Sequence, residues 1–253
     1  MLTLRSLEPI ESPGPAQRVV RARRQHWAEF SAVLCVVVCL GSGPSSAAAD
    51  LAVELCAAEL PAGVVRVQTQ QAVPQVTYAR NAREILDQTG VRQEAVALGL
   101  TLTSVSVGME VVLHRAQSQD GTIGCARPEI DITLSHASME IMLASEIERD
   151  ACVSALVLEH EMTHVAIERE TLQRAAESLS AQMQTYYRDR ILSGDEAQAM
   201  ARLEHEFDQR WAPVLSALLQ ASNVRHAEYD ARDRYGDKEA CRGDLMRIAR
   251  SIH

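Results

Sequence analysis

The sequence of 253 residues has little lysine and, after Arg24, no cluster of basic side chains. Lys238 is the only lysine, and 34 acidic residues against 25 basic ones give a formal net charge of −9. Nucleic acids and anionic membrane surfaces are bound through basic patches. The sequence therefore argues against both as partners, while its 47% hydrophobic content is typical of a globular protein.

Long hydrophobic runs are also lacking. The apolar run Phe30–Leu40 is shorter than the roughly 20 residues that a membrane-spanning helix needs. Four arginines ending at Arg24 precede it, and the small residues Ala47 and Ala49 follow it. Basic, apolar and small-x-small segments in this order are typical of a secretory signal peptide. We predict that residues 1–49 are removed, which leaves a periplasmic or secreted protein without a stable membrane span.

Closely spaced cysteine pairs such as C-x-x-C are absent from the mature chain, which disfavours a thiolate metal site. An even number of cysteines in an exported chain favours disulfides instead. The mature chain retains four: Cys56, Cys125, Cys152 and Cys241. Of the three possible connectivities we predict Cys125 with Cys152, which ties the strand region to the helical region, and Cys56 with Cys241, which ties the two ends of the domain.

Residues 50–149 are predicted to be rich in strands, since β-branched and alternating apolar stretches recur there. A short helix is possible over 79–88, and a hairpin turn is expected at 119–122. The predicted strands cover 64–67, 73–77, 97–107, 110–115, 130–134 and 139–143.

Residues 150–253 are predicted to be helical. Alanine, leucine, glutamate, glutamine and arginine dominate 152–190, which predicts one long helix. Gly194 and Asp195 supply a stop and an N-cap, and a second helical stretch over 195–232 should break near Pro213. We predict an α+β fold in which 50–253 form one catalytic domain.

The sharpest chemical signal is the H-E-x-x-H pattern His160-Glu161-Met162-Thr163-His164. Four residues on a helix advance about 400° and about 6 Å, so both imidazoles project from one face and can bind one zinc ion. Glu161 is then placed to act as general base towards a water molecule at the metal.

With this pattern the chain resembles the zincin metallopeptidases, and among them bacterial secreted zinc-dependent proteases of uncharacterised function. The resemblance covers about 125–241 and rests on Cys125, Cys152, residues 157–166 and the segment 229–236. It implies zinc, peptide-bond hydrolysis and a zincin-like fold: a short N-terminal β-sheet, a long active-site helix and a returning C-terminal helix pair. In zincins an edge strand lines the substrate cleft, a role that 129–136 or 139–145 could fill here.

The third zinc ligand is expected on the returning helices. The Gly and third His of the best-known zincin pattern are missing, and Glu168 lies about 12 Å along the helix from His160, which favours a solvated or salt-bridged role. A turn near Ser193 brings position 226 opposite His160, so three side chains fall in range: His226, Glu228 and Asp230. We predict Asp230, because similar zincins use an aspartate in a segment ending Asp-x-x-Tyr-Gly, although here four residues separate Asp230 from Tyr235-Gly236.

Two functions follow from these residues. The first is an exported zinc metallopeptidase acting on peptide or protein substrates, with His160, His164 and Asp230 as ligands and Glu161 as general base. The alternative is a non-catalytic zincin-like module that binds a metal or a partner. The missing standard third ligand, and the lack of a recognisable His or Tyr to stabilise an oxyanion, motivate the alternative. The sequence leaves the cleavage specificity and the oligomeric state open.

Overall fold

A computed structural model describes residues 10–11, 58, 60–89, 97–117, 124–233 and 241–252. It combines an open sheet with helices, compatible with the predicted α+β class. The predicted signal peptide lies outside these residues except for strand β1, Ile10–Glu11.

The sheet is built around two long antiparallel strands, β4 (Gly99–Gln117) and β5 (Gly124–Ala144). On the far side of β5 lie two parallel strands, β2 (Val64–Gln70) and β3 (Gln75–Arg80), and the short antiparallel strand β6 (Leu192–Ser193). On the far side of β4, within the described residues, only β1 is paired. The hairpin turn predicted at 119–122 lies outside the described residues.

The sheet is longer than the short one predicted, because strands continue through two predicted gaps: 108–109 in β4 and 135–138 in β5. Alternation fails around His136-Ala-Ser138, yet β5 runs through this point as 21 residues. The pairing of β5 with β4 passes from Ser138 to His136 and skips Ala137. This is a β-bulge, in which one extra residue shifts the inside-outside alternation without ending the strand.

The edge-strand expectation for 129–136 and 139–145 is wrong. Both stretches lie almost wholly in β5, which has β4 on one side and β2 and β3 on the other. The strand that approaches the H-E-x-x-H motif is the start of β4, where Gly99 and Thr101 face Glu161.

Helix α2, Ala151–Tyr187, carries the motif and is 37 residues long, or about 55 Å. The side chain of Asp150 caps its start by accepting from the Val153 N–H. The shorter helix α1, Ala82–Thr89, precedes β4. The predicted long helix over 152–190 is confirmed within a few residues.

The chain then returns along α2. Gly194 has a φ of 109°, and Asp195 caps helix α3 (Glu196–Glu206) by accepting from the Gln198 N–H, so the predicted stop and N-cap are confirmed. A π-helical turn, Phe207–Trp211, leads into helix α4, Ala212–Arg232, with Pro213 in its first turn. The predicted break near Pro213 is therefore this turn. Helix α5, Arg242–Ile252, ends the described chain.

The core has two large apolar clusters on either side of the motif. One joins the middle of the sheet to the second half of α2 and to α3 and α4. The other joins β3, α1 and the ends of β4 and β5 to the first turns of α2 and to α5. The polar residues of α2 from His160 to Glu168 lie where the two clusters meet. Among the described helices, none is long and apolar enough to cross a membrane.

A disulfide joins Cys152 to Cys241, so both predicted pairings, Cys125 with Cys152 and Cys56 with Cys241, are wrong. The spacing of the cysteines in the sequence does not distinguish the three connectivities, because the pairing depends on where α5 packs against the start of α2. The bridge closes a loop of 89 residues, which should contribute about 4 to 5 kcal/mol through loop-closure entropy. Cys125 is also disulfide-bonded, and Cys56 lies outside the described residues.

Peptide mapping of the mature protein should give two bridges, Cys152–Cys241 and Cys56–Cys125. The first is the bridge described above. The second is an expectation that rests on the predicted removal of residues 1–49, after which Cys56 is the one cysteine left for Cys125. The measurement is a proteolytic digest compared with and without reductant. A peptide pair joining Cys125 to Cys152 would contradict this arrangement.

Candidate metal centre

Helix α2 presents His160, Glu161 and His164 to the interior, as the four-residue spacing predicts. Their exposed fractions are 5%, 3% and 9%. One ligand-type atom from each lies within 4.8 Å of the others, a group that could hold a metal ion. Burial of three ionisable groups is costly unless they bind a charge or each other. The site therefore needs partners, and helix α4 and strand β4 supply them.

Asp230 of α4 completes a compact triangle with the two imidazoles. The Nε2 atoms of His160 and His164 are 3.1 Å apart. Asp230 Oδ1 is 3.3 Å from His160 Nε2 and 3.0 Å from His164 Nε2. Ligand atoms about 2.0 to 2.1 Å from a tetrahedral zinc ion are about 3.3 Å from one another. The triangle therefore has nearly the spacing of three tetrahedral zinc ligands.

Glu161 is held in a different way from Asp230. Its Oε2 accepts a hydrogen bond of 2.8 Å from the Thr101 hydroxyl of β4. Glu161 thus borders the space between the imidazoles, while Asp230 approaches both Nε2 atoms directly. This arrangement fits a metal site with two imidazole ligands and the Asp230 carboxylate as the third. The Glu161 carboxylate lies beside them and is held by Thr101.

Each imidazole has a second partner at its Nδ1 atom. For His160 the partner is Asp233, whose Oδ2 lies 3.1 Å from Nδ1 and also accepts a 2.6 Å hydrogen bond from the Tyr229 hydroxyl. The Tyr229 ring packs on His160 with a centroid distance of 4.7 Å. The carboxylate and the ring together fix the orientation of His160.

For His164 the partner at Nδ1 is a second imidazole. His226 Nδ1 lies 2.7 Å from His164 Nδ1, and His226 Nε2 lies 2.6 Å from Glu168 Oε1. Glu168 follows His164 by one helical turn and is 7% exposed. The contacts form a chain from His164 through His226 to a buried carboxylate.

One assignment of protons satisfies both chains. If each Nε2 keeps its lone pair for a metal ion, His160 Nδ1–H donates to Asp233 and His164 Nδ1–H donates to His226 Nδ1. His226 Nε2–H then donates to Glu168. Metal-binding histidines commonly donate their other N–H to a carboxylate or a similar acceptor. The surroundings of both imidazoles therefore favour the tautomer that a metal requires.

When a proton rather than a metal ion is held at Nε2, Asp230 and the imidazoles stabilise each other's charged forms. Burial alone raises the pKa of Asp230, but hydrogen bonds with His160 and His164 outweigh it and hold the pKa well below its usual value. Burial alone lowers the pKa of His160, yet the contacts with Asp230 and Asp233 raise it. Asp230 is consequently a carboxylate at neutral pH, the form that binds a cation.

Burial, reinforced by the hydrogen bond to Asp233, raises the pKa of Tyr229 to about 12. The hydroxyl therefore remains protonated at neutral pH and donates to Asp233.

The three candidate side chains differ in where they lie relative to the two imidazoles. Asp230 contacts both Nε2 atoms, His226 contacts only the Nδ1 side of His164, and Glu228 is exposed. The predicted return placed His226 opposite His160, but it lies opposite His164 and Glu168, about one turn further along α2. The expectation assumed one straight antiparallel return, whereas the returning chain consists of α3, a π-helical turn and α4.

The sequence predicts a solvated or salt-bridged role for Glu168 and does not predict the contacts of Asp233 and Thr101 with the motif. Glu168 is buried and its carboxylate pairs with His226, which agrees with the salt-bridged alternative and not with the solvated one. Asp233 gave a weak signal, because it follows Asp230 by only three residues, at the C-cap of α4. Thr101 gave none, because 60 residues separate it from Glu161.

Comparisons with protein-family models, with curated proteins and with solved structures found no match to this chain.

Proposed function

We propose that the protein is an exported zinc metallopeptidase of zincin type. The observation that carries the proposal is the triangle of His160 Nε2, His164 Nε2 and Asp230 Oδ1, with edges of 3.0 to 3.3 Å. Two imidazoles and one carboxylate are a recognised ligand set of catalytic zinc sites. A zinc ion held by these residues would supply Lewis-acid activation of water and polarisation of a carbonyl group.

In this proposal Glu161 performs the proton transfers. Its carboxylate accepts a proton from the attacking water and delivers it to the amine nitrogen that leaves when the peptide bond breaks. His160 and His164 hold their orientation through Asp233 and His226, so the ligand atoms stay in place during turnover.

We place the extended peptide substrate along the outer edge of β4. Two observations support this location: the first residues of β4 contact Glu161, and the described part of the chain leaves that edge paired only with Ile10–Glu11. Those two residues belong to the segment predicted to be removed with the signal peptide. A free strand edge offers backbone groups to an extended peptide. Export itself is supported by the disulfides, which are typical of oxidising compartments.

The test is hydrolysis of unfolded casein by protein that was exported and processed from the full sequence, together with its zinc content. We expect about one zinc ion per chain, loss of activity with a chelator and recovery when zinc is restored. A chain that retains zinc but never cleaves casein or a peptide library would favour the non-catalytic metal-binding alternative. A chain that binds no zinc would overturn the proposal.

A further inference from the structure

Strand β4 contacts the side chain of Glu161 at two positions, Gly99 and Thr101. Both residues face the same side of the strand because side chains alternate. Thr101 lies half-buried, and its hydroxyl is 2.8 Å from Glu161 Oε2 and 3.2 Å from the Glu161 backbone oxygen. One hydroxyl hydrogen serves one acceptor at a time, so the shorter contact, to the charged carboxylate, is the stronger.

The absence of a side chain at Gly99 is required by Glu161. A Cβ atom at this position would stand 2.5 Å from Glu161 Oε1 and 2.8 Å from Glu161 Cγ. It would also stand 2.7 Å from a methyl carbon of Val157, one turn earlier on α2. Strand β4 therefore leaves space for the Glu161 side chain at Gly99 and supplies a hydrogen-bond donor to its carboxylate at Thr101.

We propose that Thr101 is a positioning residue that fixes the orientation of the Glu161 carboxylate for proton transfer, with Gly99 making room for it. The inference rests on the peptidase function proposed above. The terminal torsion of a glutamate is broad and has no strong preference of its own. A hydroxyl bound to Oε2 restricts this rotation, so the carboxylate meets the attacking water in one orientation. Small errors in such an orientation are costly in rate.

The test compares Thr101→Val, which keeps the shape and removes the hydroxyl, with Thr101→Ser, which keeps the hydroxyl. A hydrogen bond to a charged group leads us to expect a kcat about 10- to 100-fold lower in Thr101→Val. The KM should stay within about twofold and the zinc content should be unchanged, since no ligand is touched. Thr101→Ser should recover kcat to within about threefold of wild type, because the donor is restored.

A double-variant cycle separates positioning from general damage to the fold. In a Glu161→Gln background the carboxylate that Thr101 orients is gone, so adding Thr101→Val should lower the residual rate very little. An equal loss in both backgrounds, or failure of Thr101→Ser to recover kcat, would overturn the assignment.

The same assay distinguishes this inference from the proposed function. If wild type is active and Glu161→Gln is not, but Thr101→Val turns over at the wild-type rate, only the role of Thr101 is wrong. If wild type shows no zinc-dependent hydrolysis, both the function and the role of Thr101 are overturned.

Discussion

Glu161→Gln is expected to lower peptide hydrolysis by about 10² to 10⁴ while zinc stays bound. Glutamine has nearly the same shape, and its carbonyl oxygen can still accept from the Thr101 hydroxyl. What it loses is the ability to take a proton. His160, His164 and Asp230 are unchanged, so the metal content should equal that of wild type. The measurements are the turnover number on one peptide and the zinc content of the same sample.

A matched control is available on the same helix. Glu159 is exposed and lies two residues before Glu161, so Glu159→Gln makes the same change of charge outside the site. Its turnover should match that of wild type. A zinc-loaded Glu161→Gln variant with unchanged turnover would show that Glu161 is not the general base.

Asp230→Ala is expected to weaken zinc binding by more than about 100-fold, beyond the 10- to 100-fold that loss of an outer contact to a ligand typically costs. The reason is that Asp230 Oδ1 lies within 3.3 Å of both Nε2 atoms, whereas His226 reaches His164 from the opposite side of the ring. His226→Ala should therefore show the smaller loss. Zinc affinity is measured by competition with a chelator of known strength.

Glu228→Ala is the control, since Glu228 is an exposed carboxylate two residues before Asp230 on α4. It should bind zinc as wild type does. Full zinc occupancy in Asp230→Ala, together with a metal-free His226→Ala, would assign the third position to His226 instead.

Local signals predicted the elements that carry the site. The spacing of His160 and His164 predicted one helix face, because the helical period is a local property of the backbone. The composition of 152–190 predicted the long helix, and Gly194 with Asp195 predicted where the chain returns. The alternation of β4 and β5 predicted strands but not their length, since the bulge at Ala137 changes the alternation without ending the pairing.

These local patterns do not predict contacts between residues that are far apart in the sequence. The predicted return of the chain correctly brought Asp230 and His226 near the motif. Which residue of α4 lies opposite which residue of α2 could not be predicted, because the π-helical turn that precedes α4 was not predicted. The disulfide pairing failed for a similar reason. Cys241 lies beside Cys152 because Leu245 and Ile248 of α5 pack into the cluster around the start of α2.

Short-range sequence patterns were sufficient to predict the two imidazoles, the neighbouring carboxylate and the helix that aligns them, because the motif depends on residues at most four positions apart. Only the packed structure shows which acidic residue approaches both Nε2 atoms and which groups orient each ring. Packing also brings β4, rather than β5, against the side chain of Glu161. These contacts depend on how α4 and β4 pack against α2. That packing results from the burial of many side chains in the two apolar clusters of the core, not from any single motif.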